Sequence, residues 1–486
     1  MVSEKTRSIY GVSDAPALCV DLDGTLLATD VLWESVLLLL KRKPHLMFLL
    51  PFWLLKGKAA LKHNIAQKVR LDVANLPYRQ DVLDFLIEEK DSGRHIVLAT
   101  ASDRKAAEAI ANHLGLFSDV IASDGIENLS GIKKREALEA RFSDQGFDYI
   151  GNSRVDLPLW EAANAALLVD PSKRMLAKAR RKANVKQVFS TKTNRLRTIV
   201  KALRCYQWVK NLLVFVPLIM AHKLSDQTKM LDAFWAFCAF SLCASGIYIL
   251  NDLADLKTDR LHPKKRLRPF ACGKLSIPAG LMLSVALLTG AFTIAAAALP
   301  FWFSAGLLFY MIVTLAYSFY LKRTTVADVM TLAGLYTLRV LLGGVATGIG
   351  ISTWLLEFSM FFFLCLAFVK RYTEFDVLQM SSEGRLPGRG YIAGDKDWML
   401  KMGSGSGYLS VLVLALYIND DHVADLYNHP KLLLLICPAL LYWISRLWLL
   451  TSRGYLEDDP IVFAIKDVRS YLIGIIIAAI LVAATF

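Results

Sequence analysis

From about residue 203 onward, apolar runs recur at about 203–222, 231–250, 277–298, 301–320, 327–347, 352–370, 404–418, 431–451 and 470–486. Each is near the roughly 20 residues that a helix needs to cross a hydrocarbon core. One such run is compatible with a buried helix in a soluble protein; nine in succession point to a polytopic membrane bundle. The overall hydrophobic fraction is 55%, but it is unevenly spread. Residues 1–195 read as a soluble domain carrying one apolar insert.

The net charge of +13 raises the question of nucleic acid, and the positions of the charges answer it. With a cytoplasmic N-terminal domain and nine crossings, the inside loops 252–275, 321–326, 370–401 and 452–469 hold 18 Lys and Arg. The outside loops hold Lys223, Lys229 and Lys431. That asymmetry is the positive-inside bias and sets the expected orientation. The opening MVSEKTRSIYGVSDAP is polar and lacks the apolar core of a signal peptide. Seven cysteines lie scattered without CxxC pairs, so they read as reduced core residues.

In the first domain, ALCVDLDGTLLATD (17–30) is an apolar strand ending in Asp21 and Asp23, with Gly24 to turn the backbone. Two carboxylates at a strand's end suit Mg²⁺, which favours carboxylate and phosphate oxygens, and one could serve as a nucleophile. Three further strand ends follow. HIVLATASD (95–103) offers Thr100 and Ser102; NLSGIKKREAL (128–138) offers Lys133 or Lys134; and FDYIGNSRVDLPLW (147–160) offers Asn152 and Asp156. In this order the four motifs resemble the haloacid dehalogenase superfamily of phosphohydrolases. The resemblance implies a Rossmann-like α/β domain, Asp21 as the nucleophile forming an aspartyl-phosphate, and Asp23 as general acid and base. It also implies Thr100 and Lys134 (or Lys133) on the phosphoryl group. Asp21, Asp23, Asn152 and Asp156 would be the Mg²⁺ set. Asn152 stands where the family usually has Asp, which leaves open an active phosphatase or a regulatory relic. A helical cap is expected at about 31–90, and its apolar runs, broken by KRKPH, are short for spans. Such a cap either lies in the lipid interface or packs on the membrane domain.

In the second domain, NDLADLKTDRLHPKKRLRP (251–269) adjoins an apolar run. If the helix continues, Asp252, Asp255 and Asp259 share a face with Asn251. Acids at a bilayer edge repel and resist desolvation, so they signal function, and Mg²⁺ with a diphosphate resolves both costs. Lys265 and Arg268 then suit phosphate oxygens. The string resembles the first signature of the UbiA-type intramembrane prenyltransferases, an all-α bundle of about nine transmembrane helices over 196–486.

A second DxxxD motif is absent: Asp328 is followed four residues later by Leu332, and the region offers Tyr317, Tyr320, Lys322 and Arg339 instead. A lone Arg in an apolar helix is costly, so Arg339 is expected to meet an anionic ligand or to pair with Asp328 or another acid. With QWVKNLLVFVPL (207–218), this variant resembles the decaprenyl-phosphate phosphoribosyltransferase branch. The resemblance implies phosphoribosyl pyrophosphate as donor, a polyprenyl phosphate as acceptor, and Lys210 and Asn211 as further ligand-binding residues. VKRYTEF (369–375) adds acids and bases on the cytoplasmic face, as do Asp458, Asp459 and Asp467, either over the site or as solvated helix ends. The fusion suggests sequential transfer and dephosphorylation in the inner membrane of a bacterium. The competing expectations are an aromatic-acceptor prenyltransferase using a polyprenyl diphosphate and a regulatory phosphatase-like module.

Overall fold

The computed structural model describes residues 15–191, 194–377, 384, 386, 389–419, 427–456 and 460–485. Its contacts divide the chain into two compact units, Met1–Leu203 with Tyr248–Ser284, and Arg204–Ile247 with Val285–Phe486.

The first unit is built on a six-stranded sheet of order β3-β2-β1-β4-β5-β6. The strands are β1 (Ala17–Val20), β2 (Ile96–Asp103), β3 (Asp119–Ser123), β4 (Phe147–Gly151), β5 (Ala166–Val169) and β6 (Val185–Phe189). All neighbours are parallel, so both faces must be covered by helices and the strands read as unbroken apolar runs. Alternation along β1 divides the core. Leu18 and Val20 pack with Ile96, Leu98 and Ile110, while Cys19 packs on the other side with Val97, Tyr149 and Trp160. The strand order reverses at β1, and crevices that bind ligands open at the carboxyl ends of strands at such a switch point.

Between β1 and β2 the chain forms α1 (Val31–Arg42), a 3₁₀ turn (Pro44–Leu49), α2 (Leu50–Leu55), α3 (Lys58–Lys68) and α4 (Gln80–Asp91). Asp30 caps α1, its carboxylate accepting from the amides of Leu32 and Trp33. Pro44 and Pro51 occupy first turns, where a missing amide costs nothing, so the apolar insert folds as short helices. Leu39, Ile65 and Val69 give it a small core. No residue of 44–55 is buried, and Phe48 (71%), Phe52 (63%) and Leu55 (85%) are largely exposed.

Eight helices among the described residues are long and apolar enough to cross a membrane. They are α11 (Gln227–Ala254), α13 (Ile277–Ala298), α14 (Phe301–Phe319) and α15 (Ala327–Thr347), followed by Thr353–Phe375, Asp395–Ile418, Pro430–Ser452 and Val468–Thr485. The first of the nine runs is instead a shorter apolar segment, Cys205–Met220, a 3₁₀ stretch joined to a brief helix at Val216–Pro217. Proline cannot continue the preceding ladder. The second unit's core gathers Phe240, Phe303 and Tyr310 and, separately, Val369, Tyr372, Ile444 and Trp448.

Within the first unit the loop after α11 lies close to the cap. Gly273 has φ +72°, and a Cβ there would stand 2.3 Å from the Ala28 carbonyl oxygen. Gly454 has nearly the same φ, +74°, with nothing within 4 Å. Gly273→Ala should therefore lower the thermal midpoint in detergent by clearly more than Gly454→Ala. Both carry the left-handed cost of about 1–2 kcal/mol, and only the first adds overpacking of about 1–3 kcal/mol. Equal midpoints would show that the loop does not press on Ala28.

Candidate functional sites

The first site forms where β1, β2 and β4 end. Asp21 is buried, and Lys134 at the start of α6 (Ile132–Arg141) donates to its Oδ1 at 2.7 Å. Lys134 also donates to the Tyr149 hydroxyl at 3.0 Å, which in turn donates to Asp156 Oδ1 at 3.2 Å. The choice between neighbouring lysines is thus resolved: Lys134 is buried on Asp21, whereas Lys133 is exposed and pairs with Glu127. Asp156 Oδ2 accepts from the amides of Asn152 and Ser153 and from the Ser153 hydroxyl, a capping box that fixes its rotamer. Thr100 is fully buried and receives the Ser102 amide. Asn152 lies over the turn at Gly24, where a Cβ would stand 2.0 Å from its Nδ2 and φ is +78°.

Asp23 accepts from the Val31 amide at 2.7 Å and from the Ser102 hydroxyl at 2.6 Å. Desolvation, reinforced by the charge of Asp30 and opposed by the Ser102 bond, pushes its carboxyl up to about 7. Burial also raises Asp21, against the pull of Lys134. Lys134 is itself raised: burial works against its charge, and the carboxylates of Asp21 and Asp156 outweigh that. The cap contributes a residue that sequence gave no sign of. Lys62 of α3 donates to the Ala101 carbonyl at 2.6 Å and to Asn128 at 3.1 Å, its ammonium lowered by burial.

The second site is the acidic motif, and here the helix does not continue as expected. α11 ends at Ala254 and α12 runs Leu256–Leu261, with Asp255 at the break (φ −103°, ψ 14°). Asp252 and Asp259 nonetheless converge, both accepting from Arg268 Nη1 at 3.0 and 2.6 Å, while Asp255 stands 3.7 Å from Lys41 of the cap. Asp259 is raised by burial and held back by Arg268. The buried Asn251 Oδ1 has no hydrogen-bond partner among the described residues. Lys265 is exposed, its amide directed at His262 Nδ1.

Mg²⁺ would find a partial set of donors at each site. In the motif a single cationic nitrogen already sits between two carboxylates, beside an unused amide oxygen. In the α/β domain Asp21 and Asp156 are linked through Lys134 and the Tyr149 hydroxyl, and the Asn152 side-chain amide lies over the turn at Gly24. Among the described residues no three acidic, His or Cys side chains could hold a metal by themselves. The remaining positions therefore fall to amide, backbone and ligand oxygens, which Mg²⁺ commonly uses.

The second unit contains two buried polar clusters. Arg339 is 4% exposed and donates to Asn211 Oδ1 (3.0 Å), the Tyr310 hydroxyl (2.8 Å) and the Leu335 carbonyl. Tyr310 and Tyr336 lie against its guanidinium, and Lys210 lies over Tyr336 as well. The pairing of Arg339 with Asp328 is not formed. Asp328 is fully buried against Arg371 at 2.6 Å and accepts from the Tyr317 hydroxyl. Glu374 closes that second cluster by binding both Arg371 and Arg389. Two arginines and two acids make it neutral, so it reads as an anchor for α15, whereas no carboxylate neutralises Arg339 among the described residues. Arg371 and Glu374 belong to VKRYTEF, which sequence left open between covering the site and a solvated helix end, whereas Arg389 was not singled out, because a polar residue in a loop looks solvated until packing is known. Tyr320 is exposed and Lys322 half-buried. Asp467 is held by Arg446 and Ser470; Asp458 and Asp459 lie outside the described residues.

Comparison with known proteins finds two families along the chain. Residues 18–161 match the haloacid dehalogenase-like hydrolase family and residues 212–385 the UbiA prenyltransferase family. The chain is 38% identical to the uncharacterized protein y4nM of Sinorhizobium fredii, over 96% of this chain and 91% of that one. It is 34% identical to nodulation protein NoeC of Azorhizobium caulinodans, over 56% of this chain and 87% of that protein. It is 35% identical to the decaprenyl-phosphate phosphoribosyltransferase of Mycolicibacterium smegmatis, over 37% of this chain and 58% of that enzyme. The chain belongs to the UbiA prenyltransferase family through its membrane-spanning part and carries a haloacid dehalogenase-like hydrolase domain in the same polypeptide.

Proposed function

We propose that the chain is a two-step enzyme of the cytoplasmic face of a bacterial inner membrane. In the first step phosphoribose passes from phosphoribosyl pyrophosphate to a polyprenyl phosphate. In the second the α/β domain removes the 5-phosphate, leaving polyprenyl-phosphoryl ribose. The observation that carries this reading is the likeness of the membrane part to decaprenyl-phosphate phosphoribosyltransferases, coupled to a phosphate-handling site on the same chain.

In the transfer, Asp252, Asp255 and Asp259, which are not gathered here around one point, would hold Mg²⁺ together with Asn251 and the diphosphate's own oxygens, and the ion would neutralise the departing diphosphate. Arg268, displaced from Asp252 and Asp259, and Lys265 would take its oxygens. A phosphate oxygen of the lipid attacks the anomeric carbon, and the bond from that carbon to pyrophosphate breaks. Positioning and charge stabilisation do most of the work. Lys210, Asn211 and Arg339 form a buried cationic cluster in the second unit, suited to an anionic ligand. In the dephosphorylation, Asp21 attacks phosphorus while Lys134 and Thr100 hold its oxygens. Asp23 protonates the departing ribose oxygen and then takes a proton from the water that releases phosphate. The exposed Phe48, Phe52 and Leu55, flanked by Lys41, Arg42, Lys43, Lys56 and Lys58, suit a lipid interface and hence a lipid-linked substrate.

Protein in detergent with Mg²⁺, a polyprenyl phosphate and labelled phosphoribosyl pyrophosphate should give lipid-extractable label. Asp255→Ala should reduce it by about a hundredfold or more, and Asp21→Asn should keep the label but retain the 5-phosphate. No labelled lipid from active preparations would overturn the donor.

Asp23 must be protonated to donate, and its raised carboxyl holds the proton below about 7. Rising pH removes it, so kcat/KM for phosphomonoester hydrolysis should fall about tenfold per unit above that point. A profile flat through pH 9 would remove Asp23 from the acid role.

Asn152→Asp restores a negative charge, and the Mg²⁺ concentration for half-maximal hydrolysis should drop by about tenfold. An unchanged requirement would place Asn152 outside the metal's reach.

A further inference from the structure

The cap of the hydrolase domain is bound to the transferase motif by contacts that neither domain's chemistry requires. Glu34 of α1 forms a two-pronged pair with Arg260 of α12, at 2.5 and 3.2 Å, with both side chains at least nine-tenths buried. Arg260 also donates to the Ala271 carbonyl at 3.1 Å, so one guanidinium joins the cap, α12 and the loop beyond it. The Thr29 hydroxyl donates to Glu34 at 2.9 Å and orients it. Lys257 of α12 reaches Asp72 at 2.8 Å. At the far end of α1, the Lys41 ammonium donates to the Ala254 carbonyl at 2.8 Å and stands 3.7 Å from Asp255.

These contacts differ in kind. A buried bidentate pair is geometrically demanding, and losing one partner strands the other. It therefore fixes α1 relative to α12, which carries Asp259. Lys41 is about one-third exposed, and such a pair adds little to stability. Its value lies in position: a cation at the carbonyl end of α11, where the helix dipole favours it, beside the central aspartate of the motif. An anion drawn to a cation on Asp255 comes within reach of that ammonium.

We propose that the hydrolase cap completes the transferase's diphosphate site: Lys41 is a donor-binding residue supplied by the cap, and Glu34 and Arg260 are positioning residues that hold it there. This rests on the reading of the motif as a diphosphate site. It makes the two domains one device, since removing the cap would strip a phosphate ligand from the other reaction.

The test uses the full chain in nanodiscs with two readouts. One is the thermal shift given by Mg²⁺ with inorganic pyrophosphate; the other is the KM for labelled phosphoribosyl pyrophosphate. Lys41→Gln should abolish most of the shift and raise KM by about tenfold, as for loss of one charge-assisted bond, with kcat changed far less. Lys41→Arg should recover both, and Lys68→Gln, at the exposed end of α3, should change neither. Glu34→Gln, which leaves Lys41 in place, should also raise KM. A Lys41→Gln protein with wild-type KM and pyrophosphate shift would overturn the proposal while leaving the transferase reading intact. A pyrophosphate shift lost in Lys41→Gln, in a protein that transfers no phosphoribose, would uphold the cap's role and overturn the donor.

Discussion

Carboxylates gathered away from bulk water need positive charge close by, and the supply of that charge organises this molecule. Asp21 is answered by Lys134 at 2.7 Å, Asp252 and Asp259 by Arg268, and Asp328 by Arg371. In the first two cases the partner is of a kind that a phosphate ligand and a divalent ion could exchange with. In the third the pair is fully buried and closed by Glu374 and Arg389, so nothing is left to exchange. The same electrostatic rule thus leaves exchangeable partners at two clusters and a structural brace at the third.

How legible each feature was depends on the range of the interaction behind it. β1 and the turn at Gly24 follow from neighbours in the chain, and three of the four motifs could be read because a parallel sheet delivers strand ends to one edge, the fourth being carried by the start of α6. Eight of the nine expected spans followed from length and apolarity, whereas the first run, Cys205–Met220, is shorter and changes from a 3₁₀ stretch to a brief helix at Pro217. The break at Asp255 was not legible, because the helical spacing of Asp252, Asp255 and Asp259 is satisfied by an unbroken helix as well. The choice of Lys134 over Lys133 needed the orientation of α6, which neither side chain encodes. Arg339 was recognised as costly in the right place, but its partners, Asn211 and Tyr310, lie 128 and 29 residues away.

The buried Arg371–Asp328 pair explains why a second acidic motif is not required for the fold of α15. A carboxylate at that position is retained, but it is occupied by an arginine from the following helix. Val326, just before it, has φ +67°, an unfavourable conformation for a β-branched residue, and its amide is held by the Tyr391 hydroxyl at 3.1 Å. The start of α15 is thus pinned from several sides.

The hairpin carrying Phe48, Phe52 and Leu55 has a practical consequence for handling the molecule. Greasy side chains displayed on a water-exposed domain are sticky in their own right. Molecules that carry such a patch can associate through it wherever nothing covers it. Additives that cover apolar surface and pair with lysines should keep such particles monodisperse.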